Sequence, residues 1–201
     1  MRFFLPLLLI LFAGTCGRAQ PPVTNPLVPP APVDKAVVYI VRPSSLGDLI
    51  NFRLYDGDRV IGRINGYQYV RYECEPGEHT FWARSENRSY VRATLNAGEI
   101  YVLETLSVMG ALRARVVLAP LRPDEDGILP KRICKIIARR APESFTERQL
   151  AEWQERWAEA TERGTERLED LDDKDRDLAA VDASYAVEPL GFRWVPKRRR
   201  E

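Results

Sequence analysis

A single histidine, His79, limits the chemistry open to this chain. Arrangements built on histidine pairs are excluded. A metal site would have to join His79 to Cys74 across a Pro76-Gly77 turn, with Glu75 and Glu78 beside it. Four donors at zinc-like spacing are missing, so His79 reads as a hydrogen-bonded strand histidine, with no metal or cofactor expected. Serine nucleophile elbows, glycine-rich phosphate loops and paired CxxC motifs are absent. Ser44, Ser45 and Ser107 have no visible base. The carboxylates between Glu166 and Asp177 crowd a solvated helix face and lack the walled pocket that would tune one as an acid. The residues point away from an enzyme.

Cys74 and Cys134 allow two readings. In an oxidising compartment they could pair, closing a loop of about 60 residues and contributing ~4 kcal/mol through the unfolded chain. Otherwise they are two buried thiols acting as small apolar side chains. The compartment is read from the first residues, where Arg2 precedes an unbroken apolar run from Phe3 to Ala13. That is the layout of a secretory signal, and the run is too short to span a bilayer, which takes ~20 apolar residues. Cleavage after Ala19 predicts a free mature chain starting at Gln20. The alternative is Ala13-Gly14-Thr15-Cys16, which resembles the bacterial lipoprotein box with Cys16 lipid-modified, although Thr15 stands where that pattern has a smaller residue. The chain is expected to be exported to the periplasm or cell envelope, free or lipid-anchored.

The elements that position these residues follow from periodicity. Residues 20–34 are proline-dense and predict an extended spacer of ~40 Å. From Ala36 to about Ala119, β-rich runs alternate with turn signals at the spacing of an antiparallel sandwich. AVVYIV at Ala36–Val41 predicts a central strand covered on both faces, and Asp56-Gly57 and Asn65-Gly66 predict tight reversals. Alternation after Gly66 places Val70, Tyr72 and Cys74 on the inward face, and His79–Ala83 is expected to return as that strand's partner. Ile133, Ile136 and Ile137 fit a short amphipathic helix, or an edge strand, within residues 122–142. Ser144 with Glu147 predicts a capping box opening a charged helix over residues 143–182, with Leu150, Trp153, Trp157, Leu168, Leu171 and Leu178 on one stripe and Gly164 as its weak point.

The runs YDGDRVIG, CEPGEHTFWA and LNAGEIYVLE resemble an uncharacterised family of exported bacterial domains, a domain of unknown function similar in style to the PEGA sandwiches. The resemblance covers Ala36 to Leu121, rests on Gly57, Gly62, Gly77 and Gly98, and implies a secreted or lipid-anchored β-sandwich with no catalytic residues. The expected fold is therefore mainly β: an antiparallel sandwich of about eight strands over residues 35–121, then a C-terminal helical segment and a basic tail over 183–201.

Charge is nearly balanced overall, at +1, but unevenly placed. Ala36 to Pro142 is modestly basic, Glu143 to Asp182 strongly acidic, and Lys197, Arg198, Arg199 and Arg200 make the end basic again. Such asymmetry points to contacts between segments or with a charged partner, while the near-neutral total argues against nucleic acid. Trp153 and Trp157 are expected to dock the helix on the sandwich or pair it with another helix, with contact to a carbohydrate or to an envelope protein partner as the alternative. The four tail cations offer a contact to an anionic membrane surface or to the acidic segment Glu166 to Asp177, with a loose soluble end as the plain alternative. The expected role is a non-enzymatic envelope scaffold or interaction module. Its rivals are a glycan- or peptide-binding sandwich using Tyr67, Tyr69, Trp82 and Tyr90, and an envelope hydrolase with a cryptic site.

Overall fold

The computed structural model describes residues 28–44, 50–109, 114–173 and 178–193. The segment expected to be a signal, Cys16 and Lys197 to Arg200 lie outside them. Among the described residues, nine strands form two sheets. In chain order they are β1 (Ala36–Arg42), β2 (Phe52–Asp56), β3 (Arg59–Ile64), β4 (Gln68–Cys74), β5 (Gly77–Arg84), β6 (Arg88–Leu95), β7 (Ile100–Met109), β8 (Ala114–Leu121) and β9 (Ala179–Val181). Three helices accompany them: α1 (Lys131–Arg139), α2 (Glu147–Arg156) and α3 (Ala158–Asp173). Sheet A runs β4-β1-β7-β8 and sheet B runs β3-β2-β5-β6-β9.

β1 is the centre of sheet A because every one of its side chains is buried. Its alternation sends Ala36, Val38 and Ile40 into an apolar cluster shared with sheet B, and Val37, Tyr39 and Val41 into a second cluster on the outer face. A strand wet on neither face must read as continuously apolar, which is what AVVYIV does. The shared cluster draws Phe52, Leu54, Phe81, Val91 and Val181 from sheet B against Val70, Tyr101, Leu103, Val116 and Leu118 from sheet A.

The sheets are mixed, which corrects the antiparallel expectation. β1 runs parallel to β7, with Val37 opposite Ile100, and β9 runs parallel to β6, with Val91 opposite Ala179. The turn at Pro76-Gly77 does not close a hairpin either. β4 pairs with β1, placing Cys74 opposite Ala36, while β5 lies between β2 and β6 in the other sheet. Gly77, at φ 127°, turns the chain from one sheet to the other. The β2–β3 hairpin forms as expected around Gly57, at φ 56°. Asn65-Gly66 closes no hairpin, because β3 edges sheet B and β4 edges sheet A, and the positive φ there falls on Tyr67, at 55°.

Both outer faces are covered by helices. RICKIIA is helical, and Ile133, Cys134, Ile136 and Ile137 pack on Val37, Tyr39, Val41, Tyr69 and Val102. The end of the proline-dense stretch joins this layer. Val28 is fully buried there and Ala31 packs beside it, so residues 28–34 belong to the folded body rather than to a free spacer.

On sheet B the helix starts later than expected. The capping box is Thr146 with Gln149, not Ser144 with Glu147, because Glu143 bridges Val70 at the edge of sheet A and Phe145 must reach Gly62. A Cβ on Gly62 would stand 2.5 Å from the Phe145 ring, so the glycine makes room for that anchor. The helical stretch breaks at Trp157, and the segment expected to stay helical up to residue 182 ends instead in β9. The apolar stripe holds: Trp153, Trp157, Ala160, Leu150, Leu168, Leu171 and Leu178 pack on Tyr55, Val60, Trp82 and Tyr90.

Candidate functional site

The turn after β2 and the turn before β5 bring Asp56, Tyr72 and His79 together. Asp56 Oδ2 accepts from Tyr72 Oη at 3.1 Å and from His79 Nδ1 at 2.8 Å. His79 Nε2 lies 2.8 Å from the Glu75 carbonyl, and the ring stacks on Phe81 at 5.6 Å. With an acceptor at each nitrogen, the ring is arranged to donate twice, as an imidazolium. The hydrogen bond to Asp56, followed by those to Cys74 and to the Glu75 carbonyl, raises its pKa from the usual 6.5 to about 10, against the opposing effect of burial. Burial, and then the Asp56 charge, pushes the Tyr72 hydroxyl up as well. A base needs a free lone pair. His79 has neither nitrogen to spare, so the cluster works as a polar strut between β2, β4 and β5.

A second arrangement lies at the rim of sheet A. Glu104 on β7 is 1% exposed, and Arg132 of α1 meets it with both prongs of its guanidinium: Nε to Oε1 at 2.7 Å and Nη2 to Oε2 at 2.6 Å. That pairing saturates a carboxylate that would be costly to bury alone, and the carboxylate in turn raises the Arg132 pKa. Beyond the pair, Pro43, Tyr67, Lys135, Ile136, Arg139 and Arg140 line an open groove. Tyr67 is 43% exposed there, in its left-handed backbone conformation.

The residues singled out in the sequence fall as follows. Cys74 and Cys134 are free thiols in separate layers. Cys74 belongs to the cluster between the sheets, Cys134 to the cluster under α1, where its Sγ lies 3.4 Å from the Leu129 carbonyl. Burial pushes the Cys134 thiol up.

Trp153 and Trp157 are stacked 5.3 Å apart and 8% exposed, with Arg63 and Arg53 over their rings. That is the docking geometry, and it leaves little of either ring to a partner. Of the four aromatics named for a ligand, Tyr69, Trp82 and Tyr90 are buried and Tyr67 alone is exposed. Ser107 accepts from Arg42. Ser45 lies outside the described residues.

Among those residues no three of His, Cys, Asp and Glu converge as a metal site, and no helix is long and apolar enough to cross a membrane. The bidentate Arg132–Glu104 pair and the cationic groove were not singled out from sequence. Only the absence of any acid from Lys131 to Arg140 signals them. Compared with protein-family models and with curated proteins, the chain matches none.

Proposed function

We propose that this chain is a non-enzymatic, exported envelope module that acts as a scaffold or protein-interaction domain, built as a β-sandwich in the PEGA style. One observation carries the reading: the polar side chains best placed for chemistry are spent on internal bonds. His79 donates to Asp56 and to the Glu75 carbonyl, and Glu104 is filled by Arg132. Buried polar groups arranged this way stiffen and specify a fold. The apolar cluster common to both sheets supports the sandwich layering. A glycan- or peptide-binding role is the second reading, favoured by Tyr67 standing exposed over the cationic groove.

Two measurements test this. Mass spectrometry of the chain from cells should find a start at Gln20 or a lipid-modified Cys16, and an intact Met1 would refute export. Crosslinking in intact cells should trap a partner protein on the wild type and much less on Lys135→Glu/Arg140→Glu. Equal yields from the two would remove the α1 groove as the contact.

A further inference from the structure

Both ends of the described body leave it from the layer that α1 covers. At its start Val28 is buried in that layer with Ala31 packed beside it, and near its end Val187 and Phe192 fill the same cluster. Pro30 and Ala31 line one groove with Pro189 and Leu190, and the Leu129 amide, two residues before α1, donates to the Gly191 carbonyl at 3.0 Å. Lys197 follows Arg193 by four residues, so the cations Lys197 to Arg200 begin no more than ~14 Å from the body. Cys16 precedes Val28 by twelve residues, a reach of at most ~40 Å. The residues before Val28 include Arg2 and Arg18 and no carboxylate.

The same layer carries charge of its own. Lys131 to Arg140 holds no carboxylate, and although Arg132 is engaged by Glu104, Lys131, Lys135 and Arg140 are exposed with no ion-pair partner among the described residues. Lys131 and Lys135 stand one turn apart, on one face of α1. Lys135 and Arg140 line the groove at which Tyr67 is exposed. The far side of the body has the opposite sign: α2 and α3 cover sheet B, and Glu147 to Asp173 holds ten carboxylates against four arginines. A molecule polarised in this way is turned by an anionic plane so that α1 meets it and α3 points away.

We propose that the α1 face lies against an anionic lipid bilayer, with Lys131, Lys135 and Arg140 at the headgroups and Tyr67 at the interface. Tyrosine suits that depth because its ring is apolar and its hydroxyl can stay wet. A plane of anionic headgroups engages the helix cations and the tail cations at once, whereas a protein surface would have to match separate stretches of chain. The proposal goes beyond the interaction-module reading: it gives the surface on which the module rests, with the acidic α3 face turned outward. Each cation contributes modestly and is screened by salt, so attachment depends on several together and falls with ionic strength.

The test is flotation of the chain, in the form isolated from cells, with vesicles of phosphatidylcholine alone and of phosphatidylcholine mixed with phosphatidylglycerol. A lipid carried on Cys16 would act on both kinds of vesicle, so the difference in affinity between them isolates the effect of charge. The wild type should bind the anionic vesicles more tightly, and the difference should vanish between ~0.01 M salt, where screening reaches ~30 Å, and ~1 M, where it reaches ~3 Å. Lys131→Gln/Lys135→Gln/Arg140→Gln should weaken binding to anionic vesicles about a hundredfold, at about fivefold for each cation. Glu162→Gln/Glu166→Gln, on the far side, should not weaken it. All five substituted positions are exposed, and unchanged far-ultraviolet circular dichroism checks that the variants fold. A wild type without preference for anionic vesicles overturns the proposal, as does a preference that survives intact in the α1 variant, which would assign it to the tail alone. A chain that ignores vesicles yet loses its crosslink in Lys135→Glu/Arg140→Glu holds a protein on the α1 face, so this proposal fails there while the interaction-module reading stands.

Discussion

Gly164 lies directly against the indole of Trp82: a Cβ at Gly164 would stand 2.7 Å from Cζ2 and overlap Cη2, while Tyr90 Oη donates to the Gly164 carbonyl at 2.8 Å. Trp82 is held in place by a stack on Tyr55 at 3.7 Å and by its Nε1 donating to the Gly57 carbonyl at 2.7 Å. The indole cannot move aside, so α3 approaches sheet B this closely only with glycine at that position.

Gly164→Ala should therefore destabilise the protein. In an open helix alanine would gain ~1 kcal/mol over glycine. Here overpacking should outweigh that gain and leave a net loss of ~1–2 kcal/mol, read from chemical denaturation. A stabilised variant would mean that α3 is free to lift away from Trp82.

The gap at Gly164 also explains what could be read from the sequence and what could not. The stripe from Leu150 to Leu178 and the both-faces burial of β1 were legible because each is a local periodicity. Gly164 looked like a weak point, since its reason is a tryptophan 82 positions earlier in the chain. Sheet assignment failed at Pro76-Gly77 for the same cause. A turn signal marks a reversal but not which strand lies alongside afterwards, and β4 is claimed by β1, a non-local partner. Thr146 is not distinguishable as the cap in a linear pattern, because the anchoring of Glu143 and Phe145 is non-local. The strut at His79 was half legible: the turn brought Cys74 and His79 near each other, yet nothing local announced Asp56.

Stability should depend on pH through His79. Its pKa is raised in the folded state to about 10 from an unfolded value near 6.5, so its contribution is full below pH ~6.5 and is lost as pH rises through about 10. Unfolding free energy measured over that range should fall for the wild type and fall less for His79→Gln. Equal slopes would mean that the ring is not held as an imidazolium.

Arg132→Met should strand the buried Glu104 carboxylate and cost ~2–3 kcal/mol, the range for a buried charged acceptor that loses its donor. Adding Glu104→Gln should recover part of the loss, because an amide is cheaper to bury than a carboxylate. Thermal melts of the single and double variants give the comparison, and strict additivity would show that the two side chains do not interact.

The thiols should be inert in the folded protein. Cys74 and Cys134 lie in different apolar layers, so a thiol reagent should label them only on unfolding, and a reductant should leave Tm unchanged. A drop in Tm under reduction would show that they pair.

Ending the chain at Pro142 tests whether the two sheets fold without α2, α3 and β9. It would bare Tyr55, Val60, Trp82 and Tyr90, and remove β9 from the edge of sheet B. Loss of near-ultraviolet circular dichroism together with dye binding is the expected result. A sharp cooperative melt would mean that the helices decorate the body without completing it.

The parallel pairing of β1 with β7 reaches into the kinetics of synthesis. Val37 faces Ile100, and the edge partner Cys74 faces Ala36, so the earliest strand finds neither neighbour until many later residues have been made. Contacts this far apart in sequence must close long loops before they return any stabilisation, which slows folding. β2 and β3 form a local hairpin at once, but the most apolar strand waits unpaired while the ribosome adds the chain that will enclose it. During that interval it is an adhesive segment that a chaperone would have to shield. Sheet B closes later still, when β9, the last of the described strands, comes to lie beside β6, and Val187 and Phe192 beyond it then fill the cluster under α1.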